Sequence, residues 1–188
     1  GTYKEAHTVY YGGTSTCNSC PSGYDDGAAA SAESGCKISV AGGKYVGTEN
    51  SATLSTCSAG YYKAAHSVAY GSTSSCSACG AVNKYSSSGA SSCSTVSTGY
   101  YTTGGTTTTR TGQSQCTSGT YCTGGEQKTC PTGYGASAAG SDAAADCYMS
   151  VAAAKYVKTA KDASATACGT GTYKEAHTVY YGGTSTCN

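Results

Sequence analysis

The chain has 188 residues, a net charge of +1, and one Leu, one Ile, nine Val and no Phe or Trp. That composition excludes an ordinary aliphatic core, and with no basic cluster it leaves no electrostatic footprint for nucleic acid or an anionic membrane. No hydrophobic run approaches the roughly 20 residues that a membrane span requires. What the chain has instead is 13 Cys, 18 Tyr and 27 Gly. It is the composition of a disulfide scaffold, in which cross-links stand in for a core too small to offset chain entropy. Such bonds persist outside the cytosol, so the expected location is extracellular or cell-surface.

The chain begins and ends on the same words. Gly1–Asn18 reads GTYKEAHTVYYGGTSTCN, and so does Gly171–Asn188. The chain is therefore expected to be one 170-residue period of a tandem array plus a short overlap. On this reading residues 1–16 close a preceding repeat, and 17–75, 76–121 and 122–170 are three Cys-rich modules. Residues 171–188 then open the next period.

In chain order, short Tyr-rich or β-branched runs bounded by Gly predict strands at Thr8–Tyr11, Gly43–Val46 and Gly99–Thr102. Residues 104–115 (GGTTTTRTGQSQ) are polar and Gly-flanked and predict an exposed loop. Ala143–Ala160 has helical propensity, with Asp142 as a prospective N-cap. A second, weaker repeat argues otherwise. Cys36–Cys76 aligns without gaps on Cys147–Cys187 at an offset of 111, with 21 of 41 positions identical. The counterpart of the Ala-rich run carries Gly42-Gly43, at a cost of about 1 kcal/mol per Gly in a helix, so extended chain is predicted for both. A degenerate third copy, with Lys84-Tyr85 and Gly99-Tyr100-Tyr101, lies between.

Cys187 is Cys17 of the following period, so each period holds twelve Cys. Nearest-neighbour pairing uses all of them: Cys20–Cys36, Cys57–Cys76, Cys79–Cys93, Cys116–Cys122, Cys130–Cys147 and Cys168–Cys187. It also gives equivalent bridges to equivalent modules. Pairing of Cys93 with Cys116 and of Cys79 with Cys122 is the rival, and spacing alone does not choose between them.

The motif C-x-x-C-P-x-G-Y at Cys17–Tyr24, with G-Y-Y at Gly60–Tyr62, resembles the cysteine-rich modules of ephrin-receptor and TNF-receptor type. Similar arrays are found in protist surface antigens and extracellular filament proteins. Cys76-Ser-Ala-Cys79 followed by Cys93 fits the same pattern, whereas the Cys116, Cys122 and Cys130 spacings depart from it. The resemblance implies a small disulfide-rich fold of short β-strands, hairpins and loops. It also implies an elongated tandem-repeat rod with little hydrophobic core.

Other chemistry finds weak support. Cys17-x2-Cys20 and Cys76-x2-Cys79 lack the second C-x2-C of a zinc ribbon and the βαβ setting of a redox motif. His66, His177 and its copy His7 occur once per module, a poor metal set. No nucleophile elbow can be placed and the ten acidic residues are scattered, so no enzyme activity, cofactor or catalytic residue is expected. Paired tyrosines at Tyr10-Tyr11, Tyr61-Tyr62 and Tyr100-Tyr101 are expected to supply packing area with the hydroxyl left wet. Thr106, Thr107, Thr108 and Thr109 are prospective O-glycosylation sites on the polar loop. The expected function is the structural unit of an extracellular fibre, filamentous appendage or surface coat, its partners being copies of itself. The alternative is a repetitive adhesin or receptor ectodomain that binds protein or glycan. An ice-binding Thr/Cys solenoid would need a regular T-x-T array, which the uneven Cys spacing lacks.

Overall fold

The computed structural model describes residues 1–6, 16–25 and 30–188. They form short antiparallel strand pairs and turns, and the only helical pieces described are two single 3-10 turns, Glu33–Gly35 and Ala144–Asp146. The fold is small, disulfide-rich and mostly β. Among these residues no helix is long and apolar enough to cross a membrane. The chain divides into two compact units. One holds residues 1–80, 85–94 and 105–111, and the other holds 81–84, 95–104 and 112–188.

In the first unit Lys37–Val40 pairs with His66–Ala69, Lys44–Val46 with Leu54–Thr56, and Tyr61–Tyr62 with Ser77–Ala78. Alternation along these strands sends Val40, Val46 and Val68 inward, each at most 4 % exposed. The chain's only Ile and only Leu, Ile38 and Leu54, pack against that trio. Three valines with two helpers are the whole aliphatic cluster.

The second unit repeats the plan at the same offset of 111. Tyr148–Val151 pairs with His177–Tyr180, and Lys155–Tyr156 with Thr166–Ala167. Val151, Val157 and Val179 form the cluster, with Met149 and Ala165 in the places of Ile38 and Leu54. This unit also holds the hairpin Thr120–Thr123/Glu126–Thr129 and the pair Tyr100–Thr103/Gly112–Gln115.

The run Ala143–Ala160 is not a helix: after a 3-10 turn at Ala144–Asp146 it forms the strands Tyr148–Val151 and Lys155–Tyr156 with a turn between them, in keeping with its Gly-bearing counterpart. The loop expected over 104–115 needs correction. Its last four residues, Gly112–Gln115, are a strand zipped to Tyr100–Thr103, because a partner strand satisfies backbone groups that polar side chains leave open. Of the predicted strands, Gly43–Val46 is observed as Lys44–Val46 and Gly99–Thr102 as Tyr100–Thr103. The strand predicted at Thr8–Tyr11, with His7, Tyr10 and Tyr11, lies outside the described residues.

One local device recurs. In Cys20-Pro-Ser-Gly-Tyr24 the Tyr24 N–H donates to Pro21 O at 3.0 Å, and Gly23 sits at φ +85°. This is a turn whose third residue must be left-handed, which favours Gly. It aims the Tyr24 ring, 6 % exposed, into the unit, edge-on to Tyr70 at 5.2 Å. Tyr134 follows Gly133 in the same way, is fully buried, and meets Tyr181 at 5.3 Å. The same i to i+3 closure follows Cys57, Cys116 and Cys168.

Gly43 and its counterpart Ala154 are both left-handed, at φ +78° and +60°. A Cβ on Gly43 would lie 1.9 Å from the Gly89 carbonyl, so only Gly fits there. Ala154 is exposed and bears the left-handed penalty with a Cβ in place. Ala154→Gly is expected to raise stability by about 1 kcal/mol, read as an upward shift of the thermal midpoint.

Candidate functional site

The twelve paired cysteines form Cys20–Cys36, Cys57–Cys76, Cys79–Cys93, Cys116–Cys122, Cys130–Cys147 and Cys168–Cys187. Their Cα–Cα distances of 5.7–5.9 Å lie in the ordinary disulfide range. Cys79 and Cys116 therefore each bond to a near neighbour rather than to each other's partners. Cys17 is the remaining thiol, and it is exposed.

The two described histidines, His66 and His177, are both hydrogen-bonded within their units. His66 Nδ1 lies 3.0 Å from Ala64 O and Nε2 lies 2.9 Å from Ser74 Oγ. A carbonyl only accepts, so Nδ1 carries the proton, and in the neutral ring Nε2 accepts from the serine hydroxyl. Ser74 Oγ in turn accepts the Val46 N–H at 3.0 Å. His177 makes the same contacts with Glu175 O and Ser185 Oγ, each at 2.9 Å, and Ser185 Oγ takes the Val157 N–H at 3.0 Å. Each imidazole thus holds a serine in place to bracket a core valine. Both ring nitrogens are engaged, which leaves no free ligand atom for a metal. Ser185→Ala should lower stability by about 1–3 kcal/mol, because a buried N–H loses its acceptor. Ser74→Ala should do the same in the other unit, and thermal unfolding of the two variants checks both.

Among the described residues no group of three His, Cys, Asp or Glu comes together. A cleft of about 300 Å³ in the second unit is lined by Asn83, Thr95, Ser97, Tyr100, Thr123 and Asp142. The threonine run is partly braced. Thr106, Thr107 and Thr108 are exposed, whereas Thr109 is half-buried. The Thr109 hydroxyl lies 2.8 Å from that of Thr106, which is 3.2 Å from that of Thr108. Thr107 stands outside these hydroxyl–hydroxyl contacts.

The feature with the most structure around it is the terminal repeat. At the amino end Thr2–Tyr3 pairs with Asn18–Ser19, matching Tyr3 to Asn18, and Cys20 N donates to Gly1 O at 2.8 Å. At the carboxyl end the identical residues make the identical match. Tyr173 and Asn188 exchange backbone bonds of 3.1 and 2.9 Å. There the segment is also built into the unit before it. His177–Tyr180 completes the strand pair with Tyr148–Val151, Tyr181 seals Tyr134, Ser185 brackets Val157, and Cys187 bonds Cys168. The second unit's valine cluster thus takes one of its three members, Val179, from the repeated words.

Sequence reasoning missed Tyr24 and Tyr134 as core residues, although the C-P-x-G-Y turn carries the signal. Of the tyrosines expected to pack, Tyr62, Tyr100 and Tyr101 are half-buried, while Tyr61 is 37 % exposed. No protein-family model, curated protein or solved structure matches the chain.

Proposed function

We propose that this chain is one period of a self-associating extracellular array, a fibre or coat whose job is mechanical and whose partners are further copies of the same period. The observation that carries the reading is the terminal repeat, which holds the same Tyr–Asn register at both ends and is integral to the unit preceding it. A segment shared in this way joins head to tail, and a heterologous contact of that kind propagates instead of closing. Six disulfides in a chain with two three-valine clusters suit an oxidising compartment and a part that must resist pulling and proteolysis. The exposed Thr106–Thr108 hydroxyls are available to O-glycans on such a surface.

Cryo-electron microscopy of the native, unreduced material tests the reading. The expected result is a filament or sheet with one 170-residue unit per repeat and continuous density between units. Dispersed monomers without axial or lateral order would overturn it.

A further inference from the structure

We propose that the cleft of the second unit binds a single neutral sugar ring, held by Asp142, Asn83 and the threonines beside them and backed by the Tyr100 ring. The site does not depend on the array reading.

The walls of the cleft come from stretches whose backbone is pinned. Thr123-Gly124-Gly125-Glu126 is a two-residue hairpin turn with both glycines left-handed, at φ +63° and +86°. Its tip packs directly on the chain at 82–83. A Cβ on Gly125 would lie 2.6 Å from Asn83 Cα and 2.7 Å from Val82 O, so only Gly lets the hairpin sit that close. Thr102 N donates to Gly125 O at 3.0 Å, which fixes the tip further. Val96 N donates to Asn83 O at 2.9 Å. Gln113 clamps Ser97, accepting its N–H at 2.8 Å and donating to its hydroxyl at 3.1 Å. Cys122 N donates to Ser141 O at 2.9 Å, which ties the residue before Asp142 to the hairpin.

The backbone is thus committed, and the side chains are not. Among the described residues no hydrogen bond engages the side chains of Asn83, Thr95, Thr98, Thr123 and Asp142, yet all five line the same cleft. Asn83 is half-buried and the other four are exposed, so all can reach a ligand from solvent. Convergent polar groups on a fixed backbone lose little freedom when a ligand arrives. All of them lie between Cys36–Cys76 and Cys147–Cys187, outside the duplicated valine plan.

The chemistry of these groups selects the ligand. The Asp142 carboxylate only accepts, the Asn83 amide donates and accepts, and threonine hydroxyls do either. The matching partner carries neighbouring groups that also do both, as the hydroxyls of a pyranose ring do. Two adjacent sugar hydroxyls donate to Asp142 while accepting from the Asn83 amide. Tyr100 lines the same cleft and offers an aromatic face to the ring's C–H groups. Asp142 is the one charged residue of the lining, which disfavours phosphate, sulfate and acidic sugars. One carboxylate is also a poor set for calcium, which takes about 6–8 oxygen ligands. The volume of about 300 Å³ is at the small end of ligand sites and suits one ring rather than a chain of them.

The test titrates methyl glycosides of glucose, galactose, mannose and N-acetylglucosamine into the full, oxidised, isotope-labelled chain and follows its amide resonances. At least one glycoside should shift Asn83, Ser97, Thr123 and Asp142 with a Kd on the order of a millimolar. Asp142→Ala, at an exposed position, should weaken that glycoside about tenfold or more with the thermal midpoint unchanged. Asp142→Asn, which keeps the shape and loses the charge, should weaken it as well. Glu49→Ala removes an exposed carboxylate from the first unit and should bind as the original chain does. Shifts scattered over the chain, binding retained in Asp142→Ala, or no shift with any of the four glycosides would overturn the site. So would a response at the cleft to calcium chloride with none to the glycosides.

Discussion

Loss of the Cys57–Cys76 bridge should destabilise the first unit by about 3 kcal/mol, and loss of Cys116–Cys122 should cost the second unit about 2 kcal/mol. The difference follows from loop size, since the bridges close 19 and 6 residues of chain. Burial adds to the first figure, because Cys57 is fully buried and a serine there would place a hydroxyl in a buried site. Neither unit has much in reserve. Each aliphatic cluster is three valines and two partly buried neighbours, far less than a core that holds a domain on its own. Full reduction should therefore unfold both units and abolish the fixed environment of the tyrosines. Near-ultraviolet circular dichroism and protease digestion, before and after reduction, read this directly. Reduced chain that keeps its protease resistance would show that backbone pairing and tyrosine packing suffice.

Tyr134→Ala should cost the second unit about 3–5 kcal/mol, the range for emptying a buried aromatic site. Tyr134 is fully buried, stands edge-on to Tyr181, and donates its hydroxyl to Asp162 O at 2.9 Å. Tyr134→Phe keeps the ring and loses only that bond, for an expected cost of about 1–2 kcal/mol. The pair separates packing from hydrogen bonding at one site. A pH dependence separates them further. Burial, then the nearby charges of Asp162 and Tyr181, push the Tyr134 hydroxyl above the ordinary tyrosine value. The folded chain then keeps a proton that the unfolded chain releases. This contribution is complete below about pH 10 and is lost as pH rises further. Urea unfolding from pH 8 to 11, in a Cys17→Ser background that prevents thiol exchange, should show a falling limb above about pH 10. That limb should be shallower in Tyr134→Phe.

These two residue types also mark how far the sequence could be read. The eighteen-residue identity at an offset of 170 and the weaker one at an offset of 111 both lie in the letters, because repetition is a property of sequence. Equivalent letters then argue for equivalent conformations, and the Gly42-Gly43 pair was enough to predict extended chain over the Ala-rich counterpart. Composition alone implied that disulfides and tyrosines would replace aliphatic residues. Tertiary structure decided the rest. Gly112–Gln115 looks like loop because polar side chains carry no strand period, and only its register with Tyr100–Thr103 makes it a strand. His66 and His177 become braces because a serine eight residues on folds back to meet each ring. The carboxyl-terminal words become part of the unit before them because Val151 and Val157 need Val179 to close their cluster, a need that no local pattern records.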